Sequence, residues 1–216
     1  MEDDRGGKAG DSANFVLLSK DIKDAFRGKY GYTITLPASY WYLQHFDVSK
    51  HQESVDWLNV MSYDLHGVWD AASKYTGPKL ATHTNITEIN MALDLLWRAG
   101  VKPNKVVLGK GCKFAFAHIL RLHHLTCWTD YGRSFTLTDP SCNKPDGSCT
   151  FSGGAKEGRC SKASGILTLQ EIQELIKEKN LKPVHDLKAG VKCTRKEQKK
   201  LHKQFANHRD RDTMGQ

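Results

Sequence analysis

The sequence has no long apolar run. None of its 216 residues belongs to a stretch approaching the roughly 20 apolar residues that a helix needs to cross a bilayer. The opening residues, MEDDRGG, are acidic and contain no apolar segment, so no signal peptide is predicted. The chain is therefore predicted to have neither a membrane span nor a membrane partner.

The sequence also lacks any Cys-x-x-Cys pair. Its six cysteines stand at 112, 127, 142, 149, 160 and 193, a spacing that argues against a zinc site. No metal or organic cofactor is implied. The cysteines at 142, 149 and 160 fall in a stretch rich in glycine, proline and serine, as in the disulfide-stapled loops of secreted proteins. This pattern conflicts with the missing signal peptide.

Positive charge is abundant but unevenly placed. The net charge is +8, and residues 192–203, KCTRKEQKKLHK, hold a large share of it. No aromatic residues are interleaved there to stack on bases, so a solvated basic tail is favoured over a nucleic-acid site. No nucleic-acid partner is predicted.

Short strands alternate with helices in the first half of the chain. Three apolar or β-branched runs, YTITLP (32–37), WLNVMS (57–62) and KVVLG (105–109), predict strands. One helical pattern, NFVLLSKDIKDAF, precedes the first strand, with Phe15, Leu18, Ile22 and Ala25/Phe26 on one face. A second, NITEINMALDLLWRAG, lies between the second and third strands, with Asn85 as N-cap, an apolar stripe of Ile86, Ile89, Leu93 and Leu96, and Gly100 as its end. Further on, TLQEIQELIKEKN predicts a helix with Thr168 and Glu171 as a capping box. This order is typical of βα units around a parallel sheet, and it places the chain in the α/β class.

Several motifs occur in a fixed order along the chain. They are SYWYLQHFD (39–47), DWLNVMSYDLHGVWD (56–70), ATHTN (81–85), ALDLLWR (92–98), YGRSF (131–135) and, further on, DPSC, GGA and SGIL. With these motifs the sequence resembles family 18 glycoside hydrolases, and in particular secreted fungal chitinases with cysteine-containing loops. The resemblance covers residues 2–109 and 131–191.

The resemblance implies a fold and a reaction. The fold is a partial TIM (β/α)8 barrel, about strands five to seven, with a small α+β insertion subdomain. The reaction is hydrolysis of β-1,4-linked N-acetylglucosamine in chitin or chito-oligosaccharides. In this family the acetamido oxygen of the substrate attacks the anomeric carbon, instead of a second carboxylate. An extracellular location is expected.

The resemblance also implies roles for the residues at the end of the second strand. Tyr63 would donate its hydroxyl to the acetamido carbonyl, Asp64 would hydrogen-bond the distorted sugar, and Met61 would line the pocket floor. Without the surrounding motifs, a Tyr-Asp pair at this place would be read as a turn or a structural hydrogen bond.

Four more residues are candidates for substrate binding. Tyr131 and Arg133 match the family's Tyr-Gly-Arg motif and would contact neighbouring sugars, although Arg133 alone could be a surface ion-pair residue. Trp69 and Tyr40 could offer flat faces to pyranose rings. For Trp69 a core position is equally open, and for Tyr40 the sugar contact is an even alternative.

The sequence departs from the family in its general acid. The DxxDxDxE motif, whose final glutamate protonates the leaving oxygen, does not occur in these 216 residues. EDDRGG (2–7) resembles the loop that follows the motif. We therefore expect a fragment of a chitinase with little or no hydrolytic activity. The alternative is a non-catalytic, lectin-like carbohydrate-binding protein.

The predicted organisation has three parts. Residues 1–136 form the carboxyl-terminal part of a catalytic barrel, 137–190 the insertion subdomain, and 191–216 a basic tail that is disordered or out of frame. Within the first part, residues 110–130 have no counterpart in the family pattern. A retained intron translated in frame is one hypothesis, because Gly109-Lys110 is what a GGTAAG splice donor encodes, and a surface loop or helix is the other.

Overall fold

A computed structural model describes residues 6–109 and 131–194. The predicted insert at 110–130 lies outside the described residues, as does the predicted tail from 195 onward.

The first half of the chain forms a parallel sheet. Its strands are β1 (Thr33–Pro37), β2 (Trp57–Met61) and β4 (Val106–Gly109), in the order β1-β2-β4. The three predicted strands and the α/β class are thus confirmed. The register aligns Pro37 with Met61 and Met61 with Gly109, so the three strands end together at one edge.

Helices cover this sheet and build its core. They are α1 (Asp11–Phe26), α2 (Tyr40–Leu43), α3 (Val48–Ser54) and α4 (Ile86–Arg98). Leu36 of β1, Leu58 of β2 and Leu96 of α4 are almost fully buried in one apolar cluster. No helix within the described residues is long and apolar enough to cross a bilayer.

The buried face of α1 differs from the predicted one. Leu18 was expected on this face but is 52% exposed, whereas Ser19 is fully buried. The Ser19 hydroxyl lies 3.1 Å from His51 Nδ1 and 3.3 Å from the Tyr32 hydroxyl. Because a polar pair occupies this position in the core, the helix turns its serine inward and the neighbouring leucine outward.

Helix α4 begins at its predicted cap. The Asn85 side chain accepts a hydrogen bond from Thr87 N at 3.0 Å, which satisfies one of the free amides of the first turn. Ile86, expected in the apolar stripe, is 44% exposed, and the buried positions are Ile89, Ala92 and Leu96. Gly100 has φ +79° and ends the helix in the left-handed region, as expected.

Short antiparallel strands are the main elements among the other described residues. They are β3 (Lys79–Ala81), β5 (Tyr131–Arg133), β6 (Phe135–Leu137), β7 (Asp146–Gly154), β8 (Ile166–Thr168), β9 (Val184–Asp186) and β10 (Val191–Cys193), with helix α5 (Leu169–Glu178) after β8. Strand β7 pairs with both β3 and β6, so hydrogen bonding crosses the predicted boundary at 136/137. Strand β10 pairs with β9, so the first three residues of the predicted tail belong to a hairpin.

Disulfides and a helix cap stabilise the region of antiparallel strands. Cys142 and Cys149 form a disulfide, and Cys160 is disulfide-bonded as well. At the start of α5 the predicted capping box is present, with the Thr168 hydroxyl accepting from Glu171 N. The Glu171 carboxylate accepts in turn from the backbone amides of Thr168 and Cys160, each at 2.7 Å.

Candidate functional site

The segment after β2 is fixed at its first residue. The Ser62 hydroxyl donates to the carbonyl of Gly109 at 2.7 Å, and Ser62 N donates to the same oxygen at 3.1 Å. These bonds tie the ends of β2 and β4 together. Asp64 then adopts φ +55°, a left-handed conformation that few residue types other than glycine, asparagine and aspartate accept. The chain turns sharply here and presents the Asp64 carboxylate beyond the edge of the sheet.

The Asp64 carboxylate is the centre of a cluster that joins distant parts of the chain. Its Oδ1 accepts a hydrogen bond from the Tyr131 hydroxyl at 2.8 Å and one from Arg133 Nε at 3.0 Å. An Arg133 terminal nitrogen lies 2.7 Å from the same oxygen. Tyr131 and Arg133 are two apart on β5, so both point to the same face of the strand.

Charge and burial set the protonation of this cluster. Burial opposes ionisation of Asp64, but His83, Arg133 and Tyr131 favour the carboxylate and lower its pKa to about 2. His83 Nδ1 is 3.5 Å from Asp64 Oδ1, too long for a strong hydrogen bond, so we assign most of the stabilisation to Arg133 and Tyr131. Burial and the adjacent Asp64 raise the pKa of the Tyr131 hydroxyl, which stays protonated and remains a donor.

Trp69 lies over the cluster. The guanidinium carbon of Arg133 is 4.5 Å from the centroid of the Trp69 ring, a cation–π distance, and the ring is still 43% exposed. Gly67 is buried, and a Cβ built on it would come within 2.3 Å of the indole. The loop therefore needs glycine at this position so that the indole can fold back over the backbone.

A second charged cluster lies two residues beyond Asp64. His66 Nδ1 is 2.9 Å from Asp70 Oδ2, and His66 Nε2 is 3.0 Å from Glu88 Oε2. Hydrogen bonds to Asp70 and Glu88 raise the pKa of His66 to about 9, although burial works against the charge. The imidazolium thus links the loop to the first turn of α4.

The other predicted residues lie around the same edge but make fewer contacts. Met61 is half-buried at the last position of β2, and Tyr63 is half-buried next to Gly109. Tyr40, the first residue of α2, is 64% exposed. Within the described part of the chain, no hydrogen bond joins Tyr40 to the Asp64 cluster.

Sequence reasoning did not select the two histidines. His66 lies in the motif LHGVW and His83 in the motif ATHTN. For His66 the available signal was the presence of acidic residues at positions 70 and 88. For His83 the sequence offered no signal, because its neighbours Asp64 and Tyr131 are distant in the chain. No group of three or more metal-binding side chains occurs among the residues that the structure describes.

The chemistry of the edge suits an uncharged polar ligand. The Asp64 charge is matched by Arg133, while hydroxyls, an imidazole and an exposed indole face remain available close by. A flat apolar ring beside hydrogen-bonding groups is the combination that binds sugars, whose rings have apolar faces and polar edges.

Comparison with known sequences gives the family. The sequence model of the family described as "Glycosyl hydrolases family 18" matches residues 4–113, half of the chain. This chain belongs to glycosyl hydrolase family 18.

Curated relatives of this family 18 chain include enzymes much longer than it. "Secreted chitinase LysM12" of Penicillium expansum is 32% identical over an alignment of 173 residues, which covers 75% of this chain and 10% of the relative. "Killer toxin subunits alpha/beta" of Kluyveromyces lactis is 30% identical, over 76% of this chain and 12% of the relative. The chain thus spans about a tenth of the length of these proteins.

Solved structures show the same fold. A Group IV chitinase of Ostrinia furnacalis in complex with allosamidin is 25% identical with a TM-score of 0.64, over 85% of this chain and 46% of the other. Human YKL-39, described as a pseudo-chitinase with retained chitooligosaccharide binding, has a TM-score of 0.64 at 21% identity, over 86% of this chain and 49% of the other. Family 18 chitinases are TIM barrels, and this chain spans just under half the length of each of these two chains.

Proposed function

We propose that this chain carries the sugar-binding half of a chitinase site and binds chito-oligosaccharides. The observation that carries the proposal is the Asp64 cluster. Tyr131 and Arg133 come from a strand nearly 70 residues away and meet the residue that follows Tyr63, with Trp69 above them. A chance pair of surface motifs would not be expected to converge on one oxygen.

Each side chain has a role in this proposal. Tyr63 donates its hydroxyl to the acetamido carbonyl, Asp64 accepts from the distorted sugar through its second oxygen, and Trp69 stacks on a pyranose face. Arg133 holds Asp64 ionised and contacts the next sugar.

Met61, Tyr131 and Tyr40 complete the proposed binding surface. Met61 closes the pocket floor, Tyr131 fixes Asp64, and Tyr40 offers an exposed ring nearby.

We further propose that the polypeptide of these 216 residues binds chitin fragments but hydrolyses them little or not at all. A positioned general acid contributes typically 10²–10⁴-fold to such a reaction, and the family's acid-bearing motif is not in this sequence. The second candidate function is that of a non-catalytic, lectin-like protein, in which carbohydrate binding is itself the function and not part of a hydrolytic site; the same side chains support it. The barrel-plus-insertion division at 136/137 and an extracellular location remain part of the proposal.

The test is calorimetric titration of the full chain with N-acetylated chitotriose. We expect saturable binding that Arg133→Ala weakens at least about tenfold, because the variant removes the guanidinium proposed to contact the next sugar, and a hydrogen bond to a charged group is worth roughly 1.5–3 kcal/mol. Arg159→Ala is the matched control, because Arg159 pairs with Glu174 on an exposed surface. A reducing-sugar assay on the same samples measures hydrolysis; turnover within about tenfold of an intact relative would refute the inactivity.

A further inference from the structure

Asn85, the N-cap of α4, also begins a sequence that can be glycosylated. Asn85-Ile86-Thr87 is the one Asn-x-Ser/Thr sequence in the 216 residues. Such sequences accept an N-linked glycan on the amide nitrogen of the asparagine side chain. A single side chain can serve as cap and as glycan acceptor only if the two roles use different atoms.

The two ends of the Asn85 amide meet this condition. Its Oδ1 accepts the capping hydrogen bond from Thr87 N at 3.0 Å, whereas its Nδ2 lies 3.5 Å from Glu88 Oε1, at the long limit of a hydrogen bond. Glu88 is held independently, because its other oxygen lies 3.0 Å from His66 Nε2. A sugar on Nδ2 therefore leaves the cap intact, and the one remaining N–H can still reach Glu88.

Asn85 and Glu88 both line a small polar cavity. Its volume is about 250 Å³, and Tyr75, Lys79 and Asp146 also line it. Pockets for drug-sized ligands measure roughly 300–1,000 Å³, so this one has room for about one sugar unit. Its ammonium and carboxylate groups can bind sugar hydroxyls and an acetamido group. The side chain that would carry a glycan thus belongs to the wall of a cavity that suits the first sugar of that glycan.

We infer that Asn85 is an N-glycosylation site and that the first N-acetylglucosamine of its glycan occupies this cavity. In the transfer, Nδ2 of Asn85 forms a bond to the anomeric carbon of a lipid-diphosphate oligosaccharide. The bond from that carbon to the diphosphate oxygen breaks, the lipid diphosphate leaves, and the amide gives up one proton to a base of the transferase. The inference goes beyond the proposed function and uses only the extracellular location that it includes.

Covalent attachment favours this occupant over a free sugar. A group tethered to the cavity wall is present at a high effective concentration, so weak polar contacts are enough to hold it. Lys79 is exposed on β3, and within the described part of the chain its ammonium group makes no hydrogen bond or ion pair. This donor is therefore available to the acetamido oxygen of the attached sugar.

Occupancy of Asn85 is tested on the full chain, secreted from a eukaryotic host behind a cleavable signal sequence. Peptide-N-glycosidase in water enriched in heavy oxygen converts a glycosylated asparagine into a labelled aspartate, which peptide mass spectrometry locates. We expect the label at position 85 in the wild type and none in Thr87→Ala. Thr87→Ser, which keeps the hydroxyl that donates to Lys188 O, should retain the label. An unlabelled position 85 in folded, secreted wild type would overturn the inference.

Docking of the first sugar is tested by trimming the glycan. An endoglycosidase that leaves one N-acetylglucosamine should not change the midpoint of thermal unfolding. Complete removal should lower the midpoint by about 2–4 °C, the size of one lost polar contact in a chain of this length. Asn85→Asp from the same host is the matched control, because aspartate keeps the cap and carries no glycan. Equal midpoints for the trimmed and the fully deglycosylated protein would overturn the docking.

Two further readouts complete the test. Lys79→Ala should abolish most of the difference between the trimmed and the fully deglycosylated protein, and an unchanged difference would contradict the role of its ammonium group. Chitotriose binding separates this inference from the proposed function. Binding by a protein without a glycan on Asn85 would overturn the inference alone, and a glycan on Asn85 of a folded protein that binds no chitotriose would support it while refuting the proposed function.

Discussion

The loop after β2 carries two charged clusters, and the central groups of the two clusters have opposite charges. At Asp64 one carboxylate is held by cationic and neutral donors from β5, whereas at His66 one imidazolium is held by two carboxylates. The first cluster leaves Asp64 one-third exposed beneath an open indole, and the second connects the loop to α4. The comparison shows that one loop carries two groups with different tasks. The Asp64 carboxylate is open to a ligand, and the charged His66 anchors the loop to α4.

The pH dependence of the two clusters should differ accordingly. The pKa of Asp64 is lowered in the folded state, so its contribution to stability is present above about pH 4 and is lost as pH falls toward 2. The pKa of His66 is raised to about 9, so its contribution is complete below about pH 6.5 and is lost as pH rises through 9. Both contributions are complete together only between about pH 4 and 6.5, and the His66 contribution declines gradually from pH 6.5 to 9.

Removing the central carboxylate should have the largest effect on the free energy of unfolding. Asp64→Ala leaves Arg133, whose side chain is 9% exposed, without its partner, and we expect a loss of about 3 kcal/mol at pH 6. Urea unfolding measures it, with Asp94→Ala on the exposed face of α4 as control. The difference between variant and wild type should shrink below pH 4. A loss no larger than that of the control would contradict the account.

Removing the imidazolium should have a somewhat smaller effect with the opposite pH dependence. His66→Gln leaves Asp70 and Glu88 without a cation; allowing for solvent screening, we expect a loss on the order of 2 kcal/mol at pH 6. The loss should disappear by about pH 10, where wild-type His66 is neutral. Lys79 and Asp146 line the adjoining cavity and act equally on both proteins.

The control for this pH series is His185→Gln. His185 is exposed on β9, so its replacement should change little at any pH. A loss in His66→Gln that is the same at pH 6 and pH 10 would rule out a charged histidine as the anchor.

Crowding the Trp69 indole should lower the free energy of unfolding less than the two changes above. Its effect should be confined to the part of the loop that is proposed to bind sugar. Gly67→Ala places a methyl group where the Trp69 ring lies, and overpacking of this kind costs typically about 1–2 kcal/mol. We expect a changed near-ultraviolet dichroism of tryptophan and weaker chitotriose binding. Gly153→Ala is the control, because a Cβ there meets no atom within 4 Å. An unchanged tryptophan spectrum in Gly67→Ala would show that the ring does not sit against this glycine.

A change at a helix cap whose side chain makes no hydrogen bond to either cluster gives the reference scale, although Thr168 pairs with Tyr131 through the strand backbone. Thr168→Ala removes the N-cap of α5 and should lower the free energy of unfolding by about 1 kcal/mol. Thermal unfolding of this variant beside Thr150→Ala, on an exposed strand position, measures it. Binding of chitotriose should stay unchanged in both, and a loss of binding in Thr168→Ala would mean that α5 supports the sugar site.

The sequence was sufficient for elements whose signals are local. Strands β1, β2 and β4 follow from short β-branched runs, and the caps at Asn85 and Thr168 follow from a glutamate three residues further on in each case. The face of α1 was misjudged because a buried serine pairs with His51, and hydrophobic periodicity cannot anticipate a polar pair in a core. The strand Val191–Cys193 was missed because its hairpin partner, β9, has no alternating pattern.

The candidate site could be predicted only in part for the same reason. Tyr63, Asp64, Tyr131 and Arg133 were selectable as family motifs, but their distances depend on how β5 sits beside the end of β2. The anchor at His66 depends on loop conformation, which sequence pattern does not encode.

The most direct test locates a sugar on the protein. Isotope-filtered nuclear Overhauser spectra of the full chain with N-acetylated chitotriose would report which ring protons lie near the acetamido methyl group. The account predicts contacts from that methyl to the rings of Tyr63 and Trp69. Contacts only to rings elsewhere, with the chain folded and the ligand bound, would contradict it.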